Sequence, residues 1–264
     1  MIPELGDQLP LEATTPAESF SALLRSRGVE PRWDAVAGTD GIDPPSATTV
    51  IALRYAGGVA VAGDRRATAG NLIAHRRVEK VFPADDFSAV AISGVAGIAV
   101  ELTRLFQTEL EHYEKIEGRR LSLEGKANHL ASMVRRQMPL ALQGLVVIPL
   151  FAGYDVEAAE GRLYSFDVVG GRYEELDYTA TGSGGRDARL YLRTVYRDDL
   201  TESEVLDIAV AALVAAAEED TATGGPDLKR GIFPSVIVVD ADGYRTIDEE
   251  LVAASARAAM EASV

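Results

Sequence analysis

The chain of 264 residues is long enough for one large domain or two small ones, and an apolar fraction of 47% can supply a substantial core. A net charge of −15 argues against a nucleic-acid binder, which needs a basic face against phosphates, and against attachment to an anionic membrane surface. With no cysteine, disulfides, thiolate metal sites and a Cys nucleophile are excluded.

Residues 1–47 differ from the rest. They hold six of the eleven prolines, the single tryptophan Trp33, and eight acidic residues against three basic ones. One stretch, 19–28, reads as a short helix capped by Ser19 and ended by Gly28, while the remainder reads as irregular. Neither a basic n-region nor an apolar h-region opens the chain, and no apolar run reaches a membrane span of ~18 residues, so the expected location is cytoplasmic.

The character changes at Thr48. Strand-like runs at 48–55 and 59–63 meet at Gly57-Gly58, a hairpin signal. Strands are expected at 78–82 and 87–93 with a turn at Pro83–Asp86 between them. A helix over 97–115 presents Leu102, Leu105, Phe106, Leu110 and Tyr113 on one face, and a second over 123–142 presents Leu123, Ala127, Leu130, Ala131, Val134 and Met138. Strands follow at 145–153, 162–169 and 172–181, the first apolar throughout and so suited to burial on both faces. Helices are expected at 185–197 and 202–218, the latter opened by a capping box of Thr201 and Glu204. A hairpin over 235–247 turning at Asp242-Gly243 and a helix over 248–262 complete the chain. Clustered strands alternating with clustered helices give an α+β class with sheet packed on sheet and helices outside.

The three histidines, His75, His112 and His129, have no metal-ligand spacing, and no G-x-S-x-G is present. A hydrolase built on this chain must activate its nucleophile by other means. The motifs that stand out are TTVIA (48–52), GDRRAT (63–68), VEKVF (78–82), SGVAG (93–97), TGSGG (181–185) and EEDTATGGPDLKRGIFP (218–234). Together with the leader they resemble the precursor of an actinobacterial proteasome β-subunit over essentially all of 48–264. Residue physics alone does not choose between Thr48 and Thr49; the family spacing to Asp64 and Lys80 selects Thr48.

That resemblance implies a four-layer αββα sandwich of the N-terminal-nucleophile hydrolase type. It implies a propeptide of residues 1–47, removed by autolysis between Ala47 and Thr48, and a catalytic domain of residues 48–264. The freed α-amino group, with a reference pKa of ~7.7–8.0, then serves as general base for the Thr48 hydroxyl. By the same resemblance Lys80 lowers the pKa of that amine and hydroxyl, Asp64 pairs with Lys80, and Gly94 supplies an oxyanion-binding N–H. Ser183, Asp220 and Thr223 order the amine and a water, Thr68 pairs with bound peptide, and Arg66 is a supporting residue. Ala67, Val78, Phe82, Ile92, Ala96 and Val100 map to the pocket for the side chain before the scissile bond. All six are uncharged and apolar, so cleavage after large apolar residues is expected. The implied partners are α-subunits and further β-subunits in stacked heptameric rings, an ATP-dependent unfoldase ring, and substrates carrying a ubiquitin-like tag; no cofactor or metal is implied.

One residue departs from the pattern: Ala47 stands where the family usually has glycine, and alanine is penalised wherever the cleavage turn requires positive φ. Competing readings are a short two-ring bacterial Thr protease, a catalytically inactive structural ring subunit, and an amidase of the same nucleophile class acting on small molecules. The leader and the 218–234 segment speak against the first, and the combination of Thr48, Lys80 and leader against the second.

Overall fold

The computed structural model describes residues 48–70 and 72–262. The propeptide assignment and the helix expected at 19–28 lie outside the described residues.

Two five-stranded antiparallel sheets stack face to face. The first has the order β10-β1-β2-β11-β12, with β1 at Thr49–Tyr55, β2 at Gly58–Gly63, β10 at Tyr178–Gly182, β11 at Ser235–Asp240 and β12 at Gly243–Thr246. The second has the order β5-β6-β7-β8-β9, with β5 at Val81–Asp85, β6 at Ser88–Gly94, β7 at Val147–Asp155, β8 at Glu160–Phe166 and β9 at Arg172–Glu175. A separate two-stranded ribbon pairs β3, Ala67–Ala69, with β4, Leu72–His75.

Period-2 alternation sorts the side chains into layers. Val50 and Ala52 of β1, Val59 and Val61 of β2, Ala89 and Ala91 of β6 and Leu150 of β7 form the core between the sheets. The intervening Ile51, Leu53, Ala60 and Ala62 face outward against α4 (Gly185–Val195), α5 (Glu202–Glu219) and α6 (Glu249–Ala262). On the far side Val90 and Phe151 pack under α1 (Ala96–Glu117) and α2 (Leu123–Arg136). The result is helix layer, sheet, sheet, helix layer, as the α+β sandwich expectation requires. The capping box forms: Thr201 accepts from the Glu204 amide while the Glu204 carboxylate takes the Thr201 N–H.

Several boundaries differ from expectation. Pro83 lies inside β5 rather than in a turn; β5 is an edge strand, where a missing N–H is tolerated. The helix expected over 123–142 stops at Arg136 and restarts as α3, Met138–Ala141, because Pro139 cannot continue the hydrogen-bond ladder. Met138 is accordingly 40% exposed, and Leu105, expected on the inner face of α1, is 47% exposed. The single strand expected at 172–181 is two strands in different sheets, β9 against β8 and β10 against β1. The β3–β4 ribbon has no counterpart among the expected elements. Among the described residues no helix is long and apolar enough to cross a membrane.

Candidate active site

The β1 start lies between two polar groups, and Thr48 and Thr49 turn to different sides of it. Thr48 is 6% exposed and lines a pocket shared with Lys80, Gly94 and all six residues expected to form the apolar pocket: Ala67, Val78, Phe82, Ile92, Ala96 and Val100. Glu79 and Ala99 line it too. Thr49 is fully buried, and its hydroxyl is committed elsewhere. It sits 2.6 Å from the Thr223 hydroxyl and accepts the Gly184 N–H at 2.9 Å.

Asp64 follows β2 and is fully buried. Its Oδ1 accepts Lys80 Nζ at 2.5 Å and the Thr49 N–H at 2.9 Å. Its Oδ2 accepts the N–H groups of Arg66 at 2.9 Å and Gly224 at 2.8 Å. All four acceptor positions of the carboxylate are thereby filled. Lys80, 4% exposed, also donates to the Arg66 carbonyl at 2.5 Å. Burial pushes its ammonium below the ordinary lysine range, and Asp64 pushes it back up; Arg66 and Arg65 add to the downward side. Arg65 and Arg66 diverge as neighbours on an extended chain must. Arg65 donates to the Val78 carbonyl and pairs with Glu79, whereas Arg66 donates to the carbonyls of Thr221 and Thr223.

The second polar group forms where α5 ends. Asp220 is its C-cap residue, and the Thr223 hydroxyl donates to Asp220 Oδ2 at 2.6 Å. Burial pushes the Asp220 carboxyl up, but hydrogen bonds from Ser183, Thr223 and the Ala222 amide outweigh it and hold the group below the usual carboxylate range. Ser183 also donates its backbone N–H to the Thr48 carbonyl at 3.0 Å. Capping of α5 and membership of this group are therefore compatible roles for Asp220 and Thr223.

Two glycines enforce the geometry. Gly94 has φ +112°, and a Cβ there would lie 2.0 Å from the Val146 carbonyl oxygen. Gly182 has φ +97°, and a Cβ would lie 1.7 Å from the Thr48 carbonyl oxygen. Only glycine permits both the backbone conformation and the contact.

Thr68 lies in β3 opposite Ile73 of β4; the other edge of β3 carries no strand among the described residues. None of the three histidines lines the pocket. Among the described residues no group of three or more His, Asp or Glu side chains is placed to hold a metal ion. Sequence reasoning did not single out Thr49, Gly182, Gly184 or Gly224. The signals were within the motifs TTVIA, TGSGG and TATGG, but what these residues do depends on contacts far along the chain.

The arrangement pairs a hydroxyl beside a pocket with a buried cation, a backbone-lined wall at Gly94 and a carboxylate–hydroxyl group. That is the equipment for nucleophilic acyl transfer. Comparison with known proteins agrees. The family described as "Proteasome subunit" matches residues 45–227. The chain is 58% identical over 234 residues to a protein of Acidimicrobium ferrooxidans named "Proteasome subunit beta", covering 89% of this chain and 86% of that protein. Proteins of the same name from Streptomyces griseus and Acidothermus cellulolyticus are each 53% identical, over 220 and 237 residues. They cover 83% and 88% of this chain and 78% and 82% of their own lengths.

Proposed function

The chain belongs to the proteasome subunit family as a β-type, threonine-type core peptidase, and we propose that its nucleophile is Thr48, exposed by autolysis between Ala47 and Thr48. The observation that carries this reading is the division of labour at the β1 start: Thr48 opens on a pocket with Lys80, while the Thr49 hydroxyl is buried and bonded. Residues 1–47 are then a propeptide and residues 48–264 the catalytic domain.

In the precursor the Thr48 nitrogen is an amide and cannot act as a base. Cleavage converts it to an amine that titrates near neutral pH. The neutral amine takes the proton of the Thr48 hydroxyl as Oγ1 attacks the peptide carbonyl. The Gly94 N–H stabilises the resulting oxyanion, and the Lys80 cation favours the neutral amine and the developing alkoxide. The proton passes to the leaving amine as the carbon–nitrogen bond breaks, leaving an acyl-enzyme ester on Thr48. Water, deprotonated by the same amine, hydrolyses that ester and restores Thr48. Ser183, Asp220 and Thr223 hold the amine and water in place, and a peptide strand adds along β3 at Thr68.

The chain works in a core of β- and α-subunits in stacked heptameric rings, in the cytoplasm. An ATP-dependent unfoldase delivers substrates bearing a ubiquitin-like tag. The names and coverage of the relatives favour this assembly over a two-ring protease. The test is an assembled particle carrying Thr48→Ala, compared with wild type by fluorogenic peptide hydrolysis and intact mass. Wild type should lose residues 1–47 and hydrolyse peptide, and the variant should do neither. Equal rates, or a mature chain starting elsewhere, would sink the assignment.

A further inference from the structure

We propose that Thr49 is a positioning residue that ties the nucleophile's backbone to both polar groups of the site, Asp64–Lys80 on one side and Asp220–Thr223 on the other. The inference rests on the reading of Thr48 as nucleophile. Each polar atom of Thr49 is engaged. Its N–H donates to Asp64 Oδ1 at 2.9 Å, and its carbonyl accepts the Asp64 N–H at 3.1 Å. Its hydroxyl joins Thr223 and Gly184, residues that flank two different helices, the end of α5 and the start of α4.

The direction of the hydroxyl chain is fixed by counting protons. An ionised Asp220 only accepts, so the Thr223 hydroxyl spends its one proton on Oδ2 at 2.6 Å. The Thr223 oxygen must then accept from Thr49, also at 2.6 Å. With its own proton spent, Thr49 Oγ1 accepts the Gly184 N–H at 2.9 Å. The chain therefore runs Gly184, Thr49, Thr223, Asp220 with every donor used. Thr49 and Thr223 are both fully buried, so bulk solvent does not reach either hydroxyl to stand in for a missing member. Without the Thr49 hydroxyl, Thr223 is released from one partner, Gly184 loses its acceptor, and Thr49 keeps only its backbone bonds to Asp64 and its place in the β1–β10 pairing. Thr48 keeps the Ser183 N–H on its carbonyl but loses the brace that the following residue gives it toward Thr223.

The experiment uses assembled particles carrying Thr49→Val, which keeps the shape, and Thr49→Ser, which keeps the hydroxyl. Steady-state peptide hydrolysis is expressed per processed chain, counted by intact mass. Thr49→Val should lower kcat about 10- to 100-fold, the effect of a small misplacement of reacting groups, and leave KM within about two-fold. Thr49→Ser should rescue kcat to within about three-fold of wild type. A Thr49→Val particle that assembles but stays unprocessed, beside a processed Thr49→Ser particle, supports the proposal equally, since autolysis uses the same nucleophile. Unchanged kcat in Thr49→Val overturns it. So does a loss in Thr49→Ser as deep as in Thr49→Val, or a Thr49→Val chain that fails to assemble, which would assign Thr49 to stability alone. Thr48→Ala separates the two readings: an inactive Thr48→Ala with a fully active Thr49→Val removes this inference only.

Discussion

Lys80 Nζ stands 2.5 Å from Asp64 Oδ1, with the two side chains 4% and 0% exposed. A buried ion pair is worth little net against a well-packed apolar pair, but removing one partner strands the other charge and typically costs about 3–5 kcal/mol. Asp64 is also bonded by three backbone N–H groups, so it holds β1, the Arg66 segment and the Gly224 turn together through one carboxylate.

Lys80→Met should therefore lower the thermal stability of the chain by that order. It should also change the pH–rate profile in a defined direction. A nearby cation lowers the pKa of an amine by about 1–3 units, so its removal should raise the amine that the proposed cleavage frees at Thr48. At pH 7 an amine returned to its ordinary ~7.7–8.0 is only about a tenth to a sixth neutral, so the base-competent fraction falls by up to about 10-fold, and activity recovers as pH rises. A profile reduced by the same factor at every pH would show that Lys80 does not act through the amine.

Gly182→Ala should disable the site. Its φ of +97° disfavours any L side chain, and the new Cβ would occupy space 1.7 Å from the Thr48 carbonyl oxygen. β1 and β10, paired at Thr49↔Gly182, must separate at their Thr48 end. Processing and peptide hydrolysis should both be lost. Gly97→Ala in α1 is the matched control, because a Cβ there meets nothing within 4 Å and φ is ordinary. That variant should remain active with stability unchanged or slightly raised. Equal behaviour of the two variants would contradict the contact at Thr48.

Thr223→Val should make stability less dependent on pH at the acid end. The Asp220 carboxyl titrates below its ordinary value in the folded chain, so its hydrogen bonds stabilise fully above the unfolded value of about 3.9. That contribution is lost as pH falls through the lower, folded value. Removing the Thr223 hydroxyl should cost about 1.5–3 kcal/mol at neutral pH, the range for a hydrogen bond to a charged group. The difference from wild type should narrow below pH about 4, leaving only the part due to the uncharged Thr49 partner. Denaturant unfolding at several pH values measures this; a constant difference would mean that Asp220 is not the partner that matters.

The layers were legible where side chains alternate strictly. Val50, Ile51, Ala52 and Leu53 announce a strand buried on both faces, and the core confirms the alternation. The β9–β10 break was not legible, because 172–181 reads as one run and the change of sheet depends on β8 and β1, far away in sequence. The ribbon at β4 was missed because Leu72–His75 is exposed throughout and carries no inward pattern. In the site, Asp64 and Lys80 were singled out by the resemblance of GDRRAT and VEKVF to the family pattern. Thr49 was not, since its partner Thr223 lies 174 residues on and nothing local marks the bond. The choice between the two threonines, open in the residues themselves, gains a physical reason here: Thr48 lines a pocket, whereas the Thr49 hydroxyl is consumed by Thr223 and Gly184.

The pocket itself yields the last prediction. Ala67, Ala96 and Ala99 leave its walls short, and Val78, Phe82, Ile92 and Val100 make it apolar. A large apolar side chain before the scissile bond is therefore favoured by burial at about 25 cal/mol per Å² of apolar surface, with no charge at those seven positions to oppose it. Glu79 also borders the pocket, but Arg65 lies 3.3 Å from its carboxylate and offsets its charge. A fluorogenic panel should thus show faster turnover after Leu, Phe or Tyr than after Arg or Glu. Ala96→Phe should fill the space and lower kcat/KM for the large apolar substrates about 10- to 200-fold, the range set by loss of pocket volume, while small residues such as Ala are less affected. Arg as the preferred residue would instead mean that Glu79 escapes Arg65 and governs selection, and Glu79→Gln would then abolish that preference.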